Sequence, residues 1–152
     1  MYEDYLSKAL SNIIMAKQAI KAFQLTNNKD MKNGASYHAQ QAIEFIIKYE
    51  IYNNVNYNKG SNNFPQIITH DLDRLIKTHC IPYGIHVPKK IVKNAKMYTT
   101  WEAESRYSLR YSVRLDSINT ALSEAQQWLI QIKPAYKAKI ASVNKKLKLE
   151  SL

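Results

Sequence analysis

The sequence predicts an all-α fold, an up-and-down bundle of four or five helices, and three observations carry that reading. Apolar residues recur at three- and four-residue steps along most of the chain. Glycine and proline are scarce, 3 and 4 among 152 residues, too few for the many tight turns of an all-β fold. No stretch alternates apolar and polar residues as a half-buried strand would. A chain of this length fits one domain large enough for a self-sufficient core.

In the first helix Leu6, Leu10, Ile13, Ala16, Ile20 and Phe23 form the inner stripe, with lysines on the other side. "TNNKDMKNG" is read as its end. The second helix then runs from about Ala35 to Tyr52 with Ala35, Ala39, Ala42, Ile46 and Tyr49 inward, small residues that admit a close neighbour. "NNVNYNKGSNNFPQ" has no period and is a loop. A third helix spans about His70 to His79, with Thr69 as N-cap and Asp71 and Asp73 at the positive end of its dipole. Pro88 opens a fourth, to about Ser105, with Ile91, Ala95, Tyr98 and Glu102 on one side. The fifth is the most regular, through Ile118, Leu122, Ala125, Leu129 and Ile132, and Pro134 ends or kinks it. Residues 1–133 are read as the bundle. Residues 134–152 are read as a basic extension, helical or partly disordered, with helical spacing at Tyr136, Ile140, Val143 and Leu147.

The net charge of +10 bounds the partners: nucleic acid, a nucleotide, an acidic protein or an anionic surface. Lone Cys80 ends an apolar helical pattern and reads as a structural thiol in a reducing compartment. Glu3, Asp4 and Lys8 interrupt what a signal peptide would keep apolar, and no window approaches the ~20 apolar residues of a membrane span, so a cytoplasmic protein is expected.

The stretch "TTWEAESRYSLRYSVRLDS" carries the most chemistry. Arg106, Arg110 and Arg114 fall four apart, with Tyr107 and Tyr111 between them. If helical, the three guanidiniums form one stripe able to grip phosphates, and the tyrosines can stack on bases. The plainer reading is a solvated face with Glu102, Glu104 and Asp116 as local partners, which weighs most for Arg110 and Arg114. The C-terminal lysines, such as Lys137 and Lys146, add diffuse positive charge.

Three segments, "YHAQQAIEFIIKYEIY", "ITHDLDRLIKTH" and "WEAESRY", together resemble the HEPN family, the higher eukaryotes and prokaryotes nucleotide-binding domains. The matching positions are Gln41, Ala42, Glu44 and Lys48, then His70 and Leu72, then Arg106 and Tyr107. The resemblance covers about Tyr5 to Lys133. It implies a four- or five-helix bundle, usually a homodimer with the arginine segment at the dimer cleft, here around the fourth and fifth helices with Tyr98, Trp101 and Tyr107. It also implies a setting in toxin–antitoxin, phage-defence or RNA-processing systems, in some members beside a minimal nucleotidyltransferase. The ribonuclease members are metal-independent and place a histidine four to six residues after the arginine.

No histidine follows Arg106, there or anywhere to the C-terminus, and Tyr111 stands at a possible histidine position. A phenol of pKa ~10 is a poor base at pH 7, where an imidazole near 6.5 is suited to the task. Arg74 and His79 match the spacing literally, but five α-helical steps put them about 140° apart. His38 and His70 read as structural, His86 as solvated, and no cluster has metal-site spacing. No cofactor is implied. The reading is a non-catalytic module that binds a nucleotide, RNA or a partner protein such as an antitoxin. The alternative is a metal-independent endoribonuclease with an atypical site, at Arg74 and His79 or at Tyr111.

Overall fold

The computed structural model describes residues 3–55, 57, 69–107 and 112–148, with the backbone alone at residues 3 and 103–107. Helix α1 (Glu3–Thr26) and helix α2 (Lys29–Tyr52) pack along their length as an antiparallel pair. At 1.5 Å per residue each is about 36 Å long. Ala9, Ala16, Ala35, Ala39 and Ala42 are fully buried, and small side chains of this kind let two helix backbones approach closely.

Two asparagines join the pair. Asn27 takes a left-handed conformation (φ 56°), which asparagine tolerates better than most residues, and its N–H closes on Phe23 O at 2.7 Å. Asn28 is extended and caps α2, its Oδ1 accepting from Asp30 N at 2.9 Å. The second helix therefore begins at Lys29, six residues before the sequence reading put it, and Gly34 lies inside it.

Helix α3 (Leu72–Arg74) is capped by Asp71, whose carboxylate accepts from Arg74 N at 3.1 Å; Thr69 instead accepts from Asp71 N at 3.2 Å. After Leu72–Arg74 the segment widens into a π-helical turn at Leu75–Cys80 and tightens into a 3₁₀ turn at Ile81–Tyr83. Gly84 stops it at φ 72°, a conformation that favours glycine. Helices α4 (Lys89–Tyr107), α5 (Leu115–Ile132) and α6 (Tyr136–Leu147) complete the bundle.

α2 is the central element. It packs against α1, α4 and α5, and so buries more than one narrow stripe, including Ile43, Ile46, Ile47 and Ile51. α6 packs on α1 and α5, and its Tyr136 and Ile140 join the common core. The fold is all-α, and no strand occurs among the described residues. No described helix is long and apolar enough to cross a membrane. Cys80 is fully buried, and burial, with the nearby Glu50 carboxylate adding to it, pushes its thiol up to about 12. It is therefore a packing group rather than a nucleophile.

One charge lies on the wrong side of α1. Lys17, expected with the other lysines in water, is fully buried, and its Nζ has no hydrogen-bond partner. Burial lowers its pKa from 10.5 to about 8. The unfolded chain holds that proton more tightly, so the cost is present in full below pH 8 and is relieved as pH rises towards 10.5. Lys17→Met should therefore stabilise the protein at pH 7 by about 3 kcal/mol, at 1.36 kcal/mol per pKa unit. Urea melts at pH 7 and pH 10 test the account: the gap between variant and wild type should narrow at the higher pH. A constant gap would contradict it.

Candidate functional site

The residues from α2 and the approach to α3 that carried the resemblance meet in space. Glu44 is 2% exposed and stands one turn from both Gln40 and Lys48 on α2. Lys48 Nζ donates to its Oε2 at 3.0 Å, and Gln40 Nε2 donates to its Oε1 at 3.1 Å. His70 Nδ1 lies 3.0 and 3.1 Å from the two carboxylate oxygens. A carboxylate only accepts, so Nδ1 carries the proton, and the His70 side chain is 56% exposed. Gln41 donates to Gln40 Oε1 at 2.6 Å and completes the chain.

This cluster fastens two parts of the bundle together. Gln40 Nε2 also reaches His70 O at 3.5 Å, at the edge of a hydrogen bond. Two residues on, Leu72 N donates to Thr99 Oγ1 on α4 at 3.0 Å, and Thr99 in turn donates to Ala95 O at 2.8 Å. The glutamine that the buried carboxylate uses directly is Gln40, not the sequence-selected Gln41. A polar residue one turn before a glutamate on an otherwise apolar helix face was the signal that could have found it.

The arginine segment is divided. Arg106 and Tyr107 lie in the last turn of α4, but their side chains, and Arg110 and Tyr111 entirely, lie outside the described residues. Arg114 is described and is not helical. It is the extended N-cap residue of α5 (φ −68°, ψ 134°), so no unbroken helical stripe runs from Arg106 to Arg114. Its side chain is 83% exposed and meets Asp116 at 3.5 Å. The segment's end is fastened to α2, where Lys32 Nζ donates to Ser112 Oγ at 3.2 Å and Asn33 Oδ1 accepts from Val113 N at 3.5 Å. Tyr98 and Trp101, expected near a dimer surface, are buried against each other with ring centroids 4.8 Å apart.

Arg74 and His79 are not held on opposite faces. The α-helical spacing assumed for them fails because the chain between them winds as a π-helix, whose i→i+5 bonds bring residues five apart onto adjacent turns. Burial, and then the Arg74 charge, lower the His79 pKa. Its Nδ1 lies 3.2 Å from Tyr57 Oη, and the Tyr57 ring packs against both His79 and Tyr83. His38 Nδ1 is bound to Asn12 Oδ1 at 2.8 Å, and His86 is exposed in the turn after α3. Among the described residues no group of three or more His, Cys, Asp or Glu side chains is placed to hold a metal ion.

Removing the Glu44 carboxylate strands a buried ammonium. Glu44→Ala is expected to destabilise the fold by about 3–5 kcal/mol, whereas Glu44→Met with Lys48→Met should recover most of that loss. Urea denaturation of both variants checks it. A single variant as stable as wild type would show that the pair does not hold the bundle.

No family model matches the sequence, and neither a curated protein nor a solved structure matches it.

Proposed function

We propose that this chain is a non-catalytic, HEPN-like helical module that binds phosphate-bearing ligands, a nucleotide or RNA, through the segment joining α4 to α5. The observation that carries the reading is the make-up of that segment. It follows Arg106 and Tyr107 at the end of α4 and enters α5 at an exposed Arg114, with no imidazole between them. Arginine stabilises phosphate charge but cannot exchange its proton at neutral pH. The net charge of +10 favours polyanions over the whole surface.

Binding should fall steeply with salt, because each phosphate contact releases a counterion. Fluorescence anisotropy with a short single-stranded RNA at 50 and 200 mM salt measures this. Arg106→Ala is expected to weaken binding more than Lys146→Ala does. Equal losses from the two changes would reduce the interaction to diffuse charge and overturn the reading.

A second reading, metal-independent RNA cleavage at Arg74 and His79, is favoured by one observation: the π-helical turn that brings residues five apart onto adjacent turns. A histidine with lowered pKa is neutral at pH 7 and able to accept a proton. Against it, Nδ1 is engaged with Tyr57. The expected result is no cleavage of single-stranded RNA in EDTA above a heat-killed control. Cleavage abolished by His79→Ala would replace the first reading with the second, and cleavage abolished by Tyr111→Phe would place the chemistry on the tyrosine.

A further inference from the structure

A pocket of about 360 Å³ opens where the ends of α2 and α5 meet the turn after α3. Glu50 and, just past the end of the helix, Asn54 line it from α2. Ile85 and His86 line it from the turn, and Trp128 and Ile132 from α5. The pocket is far from the arginine segment. At 1.5 Å per residue, Glu50 lies about 26 Å along α2 from Asn33, the residue that meets the end of that segment.

Glu50 is a group that the fold itself does not use. It is half-buried, and burial raises its pKa. Among the described residues its carboxylate makes no hydrogen bond and no ion pair. The chain has 22 lysines and arginines against 12 aspartates and glutamates, so cations were plentiful and none was placed beside it. A glutamine would fill the same volume at less cost, because a charge shielded from water needs compensation. The two carboxylate oxygens only accept. Asn54 complements them: its Oδ1 already accepts from Tyr57 N at 3.0 Å, which leaves its amide N–H groups as donors. Ile85, Trp128 and Ile132 supply apolar walls.

We infer that this pocket receives a guanine base, of a free nucleotide or of single-stranded RNA, with the Glu50 carboxylate accepting from the base's N1–H and N2–H. Guanine alone among the four RNA bases sets two N–H donors side by side on its pairing edge. Adenine and cytosine place an acceptor nitrogen beside the amino group, and uracil flanks one N–H with two carbonyls. Each of these would press a lone pair against a carboxylate oxygen. The guanine O6, next to N1, takes its donor from Asn54. A free organic cation would also satisfy Glu50, but the net charge of +10 opposes it and attracts nucleotides and RNA. The volume lies within the range for small-molecule pockets, about 300–1,000 Å³. Unstacked single-stranded bases are the ones whose pairing edge a protein reads. The inference goes beyond the function proposed above: it concerns the base rather than the phosphate, at another place on α2.

Calorimetric titration of the full chain tests it, with the 5′-monophosphates of guanosine, inosine, adenosine, cytidine and uridine. Two single-stranded RNA oligonucleotides that differ by one guanosine in place of an adenosine complete the set. Guanosine monophosphate should bind about tenfold or more tighter than inosine monophosphate, which lacks only the N2 amino group, as expected for a hydrogen bond to a charged acceptor. A guanine preference among the nucleotides alone assigns the pocket to free nucleotides, and one between the oligonucleotides alone assigns it to RNA. Glu50→Gln exchanges one acceptor for a donor and should abolish the preference without lowering Tm. Should Glu50→Gln fail to fold, the wild type decides: NMR signals of the Trp128 indole and the Ile85 and Ile132 methyls should shift with guanosine monophosphate and not with adenosine monophosphate. Equal affinity for guanosine and inosine monophosphates overturns the inference, as does a folded Glu50→Gln that keeps the preference. Tighter binding of agmatine, a guanidinium cation, than of guanosine monophosphate also overturns it. RNA binding that depends on Arg106 would then leave the proposed function standing, whereas a guanine preference without dependence on Arg106 would leave the pocket standing alone.

Discussion

Glu44 has almost no access to water, and a buried carboxylate must be compensated within the protein. Its compensation comes from Lys48 and Gln40 on the same helix and from His70 across a change of chain direction. The i,i+4 pair satisfies helix α2 locally. The histidine makes the interaction tertiary, because it can reach Glu44 only if the chain returns to α2 just before α3 begins. From there the connection continues through Leu72 N to Thr99 on α4, the residue next to Tyr98. One buried charge thereby sets the entry of α3 and, through it, the register of α4 against the centre of the bundle.

That register decides what α4 and α5 present to solvent. Tyr98 follows Ile91 and Ala95 on the buried side of α4, yet it also lines a groove beside Arg114. Excess positive charge supplies long-range attraction for anions.

The inward stripes of α1, α2 and α5 were largely legible in the sequence, because a period of 3.6 is a strong signal over 18–24 residues. Glu44, Lys48 and His70 were singled out one by one as motif positions, and nothing in their spacing showed that they meet. Other features depended on information that spacing does not hold. The Asn27–Asn28 connection looked like a longer break because Asn, Lys, Asp and Gly cluster there, but one left-handed residue and one cap suffice. Lys17 follows Ala16 and sits one turn after Ile13, so its burial was visible on a helical wheel and was overruled by its charge. The π turn after Arg74 changes which residues share a face, and no residue pattern announced it.

We propose that this chain binds a phosphate-bearing ligand without cutting it. An amide and side-chain NMR titration with a nucleoside 5′-monophosphate, followed in parallel by ³¹P spectra, tests it most directly. Saturable shifts are expected along the segment joining α4 to α5, at Arg106 and Arg114 first, with the ³¹P signal displaced by binding and no new phosphorus species formed. Shifts confined to the C-terminal lysines, or the appearance of a product phosphorus signal, would contradict it.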